Sequence, residues 1–136
     1  MQATRKVKTA RDKAELIAEL AANKKGQDIV LMDMRGISDV CDWFVLVSAR
    51  SAPAIKAILR EIEKGLSREK ISPVHIEGRN NPFWVLMDYG EVVVHIFNKE
   101  TRQFYGLERV WSDSTRENFE ERCLEKTFQK RSQKPS

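Results

Sequence analysis

The stretch Pro82-Phe83-Trp84-Val85-Leu86-Met87-Asp88-Tyr89-Gly90-Glu91-Val92-Val93-Val94-His95-Ile96-Phe97-Asn98 decides how this sequence folds. Two runs rich in β-branched and aromatic residues flank Tyr89-Gly90, and glycine tolerates the positive φ that a tight turn needs. The reading is a β-hairpin. A strand with one wet face alternates polar and apolar residues. The second run is almost continuously apolar, so it is predicted to be covered on both faces and to lie centrally in a sheet. Its polar exceptions are Glu91 and His95, and Asp88 closes the first run.

Working outward toward the N-terminus, Thr9 with Asp12 three residues on has the form of a capping box. Leu16, Ile17, Leu20 and Ala21 make one apolar helical stripe. Lys24 and Lys25 suit the negative end of that helix, and Gly26 is expected at C′. Ile29 to Met34 and Trp43 to Val47 are short apolar runs, read as buried strands. Between them, Ser38, Asp39 and Asp42 are turn formers whose side chains bond to nearby backbone. Ser51 is read as an N-cap, with Pro53 tolerated in the first turn. Ile55, Ile58, Leu59, Ile62 and Leu66 then form the strongest amphipathic pattern in the chain. Lys56, Arg60 and Lys64 lie on its far side, a basic stripe able to meet phosphate that reads first as a solvated face beside Glu61 and Glu63.

Beyond that helix, Pro73 introduces a short strand, Val74 to Glu77. Past the hairpin, Asn98 is expected to cap a short helix through Tyr105, ended by Gly106, with Leu107, Val110 and Trp111 turned back onto the domain. From Ser112 the composition shifts. Phe119, Cys123, Leu124 and Phe128 give only a thin helical stripe within a highly charged tail. The order of elements implies one α+β domain, a mixed sheet flanked by helices. The expected division is a basic arm over 1–8, the domain over 9–113, and a charged extension over 114–136, helical or partly disordered.

Charge and cysteine usage narrow the function classes. The net charge is +4, yet Thr9 to Trp111 carries 15 Lys+Arg against 15 Asp+Glu. A nucleic-acid binder ordinarily carries its cations on the folded domain, and composition shows no such excess here. No run approaches the roughly 18 apolar residues of a membrane span. The first eight residues lack the apolar segment of a secretory signal. Two distant cysteines, Cys41 and Cys123, make neither a disulfide framework nor a zinc site, which points to a reduced, cytoplasmic setting.

Chemistry is sparse. A two-metal transfer site needs carboxylates converging on one edge. Asp33, Asp39, Asp42 and Asp88 lack the two-residue spacing that would aim a pair along one strand face. No glycine-rich phosphate loop precedes a helix. His75 and His95 stand alone in strands and read as structural hydrogen bonders, and Cys41 as an inert thiol. No catalytic, cofactor or metal residue is assigned. The candidates that remain are anchors for a protein partner, Trp84, Leu86 and Tyr89, with Asp88 as a polar contact. Leu86 should share the face of Trp84. For Trp84 itself, core packing and partner contact both fit the sequence.

Asp28-Ile29-Val30-Leu31-Met32-Asp33-Met34-Arg35-Gly36 followed by Ser38-Asp39-Val40-Cys41-Asp42-Trp43-Phe44-Val45 resembles the opening of the ribosomal silencing factors, the Iojap family. The segment Trp84 to Phe97 is similar to that family's central hairpin, and Tyr105-Gly106-Leu107-Glu108-Arg109-Val110-Trp111 to its closing motif. Trp43 stands where a tyrosine is usual and Glu91 where an aspartate is common. The tail beyond Ser114 is read as lying outside the resemblance.

The resemblance implies a nucleotidyltransferase-like α+β fold without the catalytic carboxylates, hence a protein that is not an enzyme. It implies binding to the large ribosomal subunit through large-subunit ribosomal protein fourteen. Bound there, the protein would block joining of the small subunit and lower translation when nutrients are scarce. The alternatives are a large-subunit assembly factor touching ribosomal RNA, and a metal-dependent nucleotidyltransferase-like enzyme. The RNA reading would rest on the basic helix stripe and the termini. Self-association of the free protein is left open.

Overall fold

The structure, a computed structural model, describes residues 7–110 and a strand at 115–118. Helix α1 (Ala10–Asn23) begins as its sequence demands. The Thr9 hydroxyl accepts from the Asp12 N–H, and the Asp12 carboxylate accepts from the Thr9 N–H, closing the capping box. Its C-terminal end departs from expectation. Lys25, not Gly26, takes the left-handed conformation, with φ of 66°. The Lys25 N–H donates to Ala22 O and the Gly26 N–H to Ala21 O, a Schellman arrangement with Lys25 at C′. Gly26 is needed for a different reason: a Cβ there would sit 2.7 Å from Val47 Cγ1. Steric room between helix end and sheet, not φ, selects this glycine.

Strands β1 (Gln27–Asp33) and β2 (Trp43–Ser48) follow, joined by a turn that Ser38 ties down by accepting from the Val40 and Cys41 N–H groups. Helix α2 (Ala52–Arg68) is capped by Ser51 and has proline in its first turn. Its stripe Ile55, Ile58, Leu59, Ile62 and Leu66 is buried. Full burial of one such side chain contributes about 1.5–3 kcal/mol. Exposed i,i+4 charge pairs contribute only a few tenths each, so the apolar stripe sets the helix orientation. Gly65 lets α1 approach α2, since a Cβ there would lie 2.6 Å from Leu20 Cδ2.

Then come β3 (His75–Glu77), β4 (Trp84–Asp88), β5 (Val92–Phe97), α3 (Lys99–Tyr105), α4 (Leu107–Val110) and β6 (Thr115–Asn118). The sheet order is β3-β4-β5-β2-β1-β6. β5 runs parallel to β2, and every other neighbouring pair is antiparallel, which makes the sheet mixed. The domain is α+β, as the sequence implies. All six residues of β5 are buried. The turn before it is closed by the Asp88 carboxylate accepting from the Gly90 N–H at 2.8 Å, with Gly90 at φ of 87°.

The two faces of the sheet differ. α1 and α2 cover one face, where Val85, Met87, Val92, Val94 and Ile96 join Ile29, Leu31, Val45 and Val47 in the main core. The other face carries a smaller cluster of Val30, Met32, Leu46, Val93 and Phe97, with Phe44, Trp84 and Leu86 half-buried beside it. The strand β6 pairs with β1 from Asp33↔Thr115 to Val30↔Asn118. The domain boundary expected at 113 is therefore too early, because the sheet recruits an edge strand from the charged extension. Arg116 and Glu117 hide that strand from hydropathy patterning, and only the free edge of β1 accounts for it. Trp111 and the stripe Phe119, Cys123, Leu124 and Phe128 lie outside the described residues.

Candidate functional site

Strand alternation puts Trp84, Leu86 and Asp88 on the thinly covered face and Val85, Met87 and Tyr89 on the helix-covered one. Trp84 and Leu86 are half-buried there, as is Asp88. Tyr89 is the correction. It is only 4% exposed and belongs to the main core, so it is not a surface anchor. The turn residue continues the strand's alternation for one more position, and that position points beneath the helices. Burial, with Glu63 nearby, pushes its phenol well above the ordinary tyrosine range.

Trp84 is held from both sides. Its Nε1–H donates to His95 Nδ1 at 3.2 Å, and the rings of His95 and Phe97 lie 5.8 and 5.7 Å from it. Because Nδ1 accepts, the neutral imidazole carries its proton on Nε2, which is buried and has no hydrogen-bond partner among the described residues. Burial lowers the pKa of His95 from 6.5 to about 4. His95 is thus the structural hydrogen bonder expected of it, serving the indole. His75 instead lies on the exposed edge strand, 3.0 Å from Glu77.

On the outer side of Trp84 stands Tyr105, ring centroids 4.6 Å apart, and Phe104 meets Tyr105 edge-on at 5.1 Å. Tyr105 is 49% exposed and Phe104 79%. Trp84, Tyr105 and Phe104 form one aromatic ledge spanning β4 and α3. The residues named from sequence, Trp84, Leu86, Asp88 and Tyr89, all belong to the hairpin; the structure sets two α3 aromatics beside Trp84. The signal was present: Asn98 caps α3 and Gly106, with φ of 57°, ends it, so both rings fall in its last turn.

Arg102 fixes that ledge. This guanidinium, 7% exposed, donates to Asp28 O at 2.7 Å and to Ser48 Oγ at 2.8 Å, and pairs with Glu108 at 3.0 Å. It also sits 5.7 Å from the Phe97 ring centroid. One side chain thereby ties α3 to β1, β2 and α4. A buried cation missing any of these partners would be costly, so the site of Tyr105 is pinned in a single arrangement.

Among the described residues, the carboxylates considered for a metal site are not brought together. Asp33 is occupied by Arg35, whose Nε and Nη2 approach it at 2.8 and 2.6 Å and hold its carboxyl below the usual carboxylate range. Asp39 lies in the exposed turn. Among the described residues, no group of three or more His, Cys, Asp or Glu is placed to hold a metal ion. Cys41 is buried, and burial raises its thiol pKa, the opposite of a nucleophile's requirement. No described helix is long and apolar enough to cross a membrane.

A family model described as ribosomal silencing factor during starvation matches residues 7–136. The chain belongs to that family. The match to this ribosomal silencing factor model runs through the charged extension, so the tail lies within the family pattern rather than outside it. A ribosomal silencing factor of Bacillus subtilis is 38% identical over 100 residues, covering 74% of this chain and 85% of the relative. The chloroplastic protein Iojap of Zea mays is 30% identical over 99 residues, 73% of this chain and 43% of its own length. Among solved structures, a protein of Chromobacterium violaceum superposes with a TM-score of 0.75 at 26% identity, covering 77% of this chain and 88% of that one.

Proposed function

We propose that this silencing factor binds the large ribosomal subunit through the aromatic ledge of Trp84, Tyr105 and Phe104, with Leu86 and Asp88 at its border. The contact would be with large-subunit ribosomal protein fourteen. Occupying that surface, the protein excludes the small subunit and lowers translation under nutrient limitation, with no reaction to catalyse. The observation that carries the reading is the ledge itself: a rigid, half-exposed tryptophan backed by buried partners and flanked by two exposed rings. Interface affinity concentrates in such anchors. A mouse relative, 27% identical over 101 residues, is named mitochondrial assembly of ribosomal large subunit protein 1. That name favours a large-subunit partner, and it also supports the second reading, a role in large-subunit assembly.

The test has two stages. In a sucrose gradient of lysate the protein should follow the large subunit. In a pull-down with purified ribosomal protein fourteen, Trp84→Ala and Tyr105→Ala should each weaken binding about thirtyfold, corresponding to roughly 2 kcal/mol, while circular dichroism still reports a folded domain. Normal binding by both folded variants would place the interface elsewhere.

A further inference from the structure

On the helix-covered side of the sheet, away from the aromatic ledge, a shallow groove of about 670 Å3 lies among α2, the C-terminal end of α1 and the loop leading to β3. Lys24, Arg60 and Lys64 line it together with the hydroxyls of Ser67 and Ser72. A smaller recess of about 100 Å3 adds Lys56 and Arg79. Lys24, Lys56, Arg60 and Lys64 form no ion pair among the described residues. Glu63, which also lines the groove, is already neutralised by Arg79 through contacts of 2.8 and 3.2 Å. Glu61 is the remaining carboxylate of the lining.

The fold therefore gathers cations that neutral composition conceals. Lys56, Arg60 and Lys64 repeat every four residues, about 6 Å of helix rise per step, which is on the scale of successive phosphates along one nucleic-acid strand. No aromatic side chain lines either recess, so the groove offers no platform for stacked bases, the device of single-strand binders. Cations and hydroxyls on a shallow wall match what double-helical RNA displays, phosphates and 2′-hydroxyls recognised by shape. We infer that the α2 groove binds the backbone of double-helical RNA, with Lys24, Lys56, Arg60 and Lys64 each neutralising a phosphate. This surface is independent of the aromatic ledge, so the protein has two contact faces on opposite sides of its sheet.

The probe is a 20-base-pair RNA duplex of arbitrary sequence, with binding to the full chain read by fluorescence anisotropy between 50 and 200 mM KCl. Four neutralised phosphates give a slope of log K against log salt of about −3.6, so affinity should fall about 150-fold over that range. Lys24→Gln/Arg60→Gln/Lys64→Gln should bind at least tenfold more weakly at 50 mM and flatten the slope by about 3. Arg60→Gln alone, at an exposed position, should flatten it by about 1 and keeps the test decisive if the triple variant melts early. Arg5→Gln/Lys6→Gln/Lys8→Gln and Trp84→Ala should each stay within twofold of the parent. The inference is overturned by absence of binding at 50 mM, by loss confined to the arm variant, or by competition from polyglutamate of equal charge as effective as the duplex. That last outcome would assign the groove to an acidic protein segment.

Discussion

Acidification should destabilise this domain through one residue, His95. The imidazole is 5% exposed, enclosed by Phe44, Trp84 and Phe97, and its pKa falls from 6.5 to about 4 on folding. A depressed folded-state pKa means that the unfolded chain binds the proton more tightly. Stability is then fully present above pH 6.5 and is lost as pH falls toward 4. The complete shift of 2.5 pH units corresponds to about 3 kcal/mol. Between pH 7 and pH 5 the loss is about 2 kcal/mol, which is large against a typical domain stability of about 5–15 kcal/mol. Protonation at Nδ1 also removes the acceptor of the Trp84 indole, so the ledge loosens in the same window.

Asp33 is shifted as well, and its contribution is lost only as pH falls from 3.8 downward, outside this range. The assay is urea unfolding at pH 7, 6 and 5, followed by tryptophan fluorescence, for the parent and for His95→Phe. The parent should lose about 2 kcal/mol and the variant's stability should vary far less, whatever its absolute value. Equal pH dependence in the two proteins would refute the assignment of the burial cost to His95.

Three further outcomes are expected. Tyr89→Ala should cost about 3–5 kcal/mol of stability as a core truncation, measured by denaturant midpoint, whereas Trp84→Ala should chiefly cost partner binding. Ending the chain at Ser114 removes β6 and exposes the β1 edge, so the melt should reveal a loss of roughly 2–4 kcal/mol, about 1 per ladder hydrogen bond lost. An unchanged melting temperature would mean that the edge pairing contributes nothing. Isothermal titration with magnesium and each nucleoside triphosphate should give no affinity tighter than about 1 mM, and a micromolar signal abolished by Asp39→Ala or Asp42→Ala would restore the enzyme reading.

Local signals carried much of this fold in the sequence itself. The capping box at Thr9, the cap at Ser51, the apolar stripe of α2 and the unbroken apolar run of β5 all act within a few residues of their own position. Each therefore determined an element, and the continuous run in β5 also determined its central place in the sheet. Alternation likewise put Leu86 with Trp84. Which face is thinly covered depends instead on where α1 and α2 pack, and that non-local choice buried Tyr89 beneath the helices. The same dependence governs the ledge: Phe104 and Tyr105 reach Trp84 because Arg102 locks α3 onto β1 and β2, contacts separated by 74 and 54 residues. β6 forms because an unpaired edge of β1 awaits a partner, a demand that the charged segment around Arg116 does not announce. The basic groove is tertiary for the same reason. Lys24 meets Arg60 and Lys64 only when α1 and α2 pack together, while Arg79 neutralises Glu63, so a domain with equal numbers of both charges still segregates them in space.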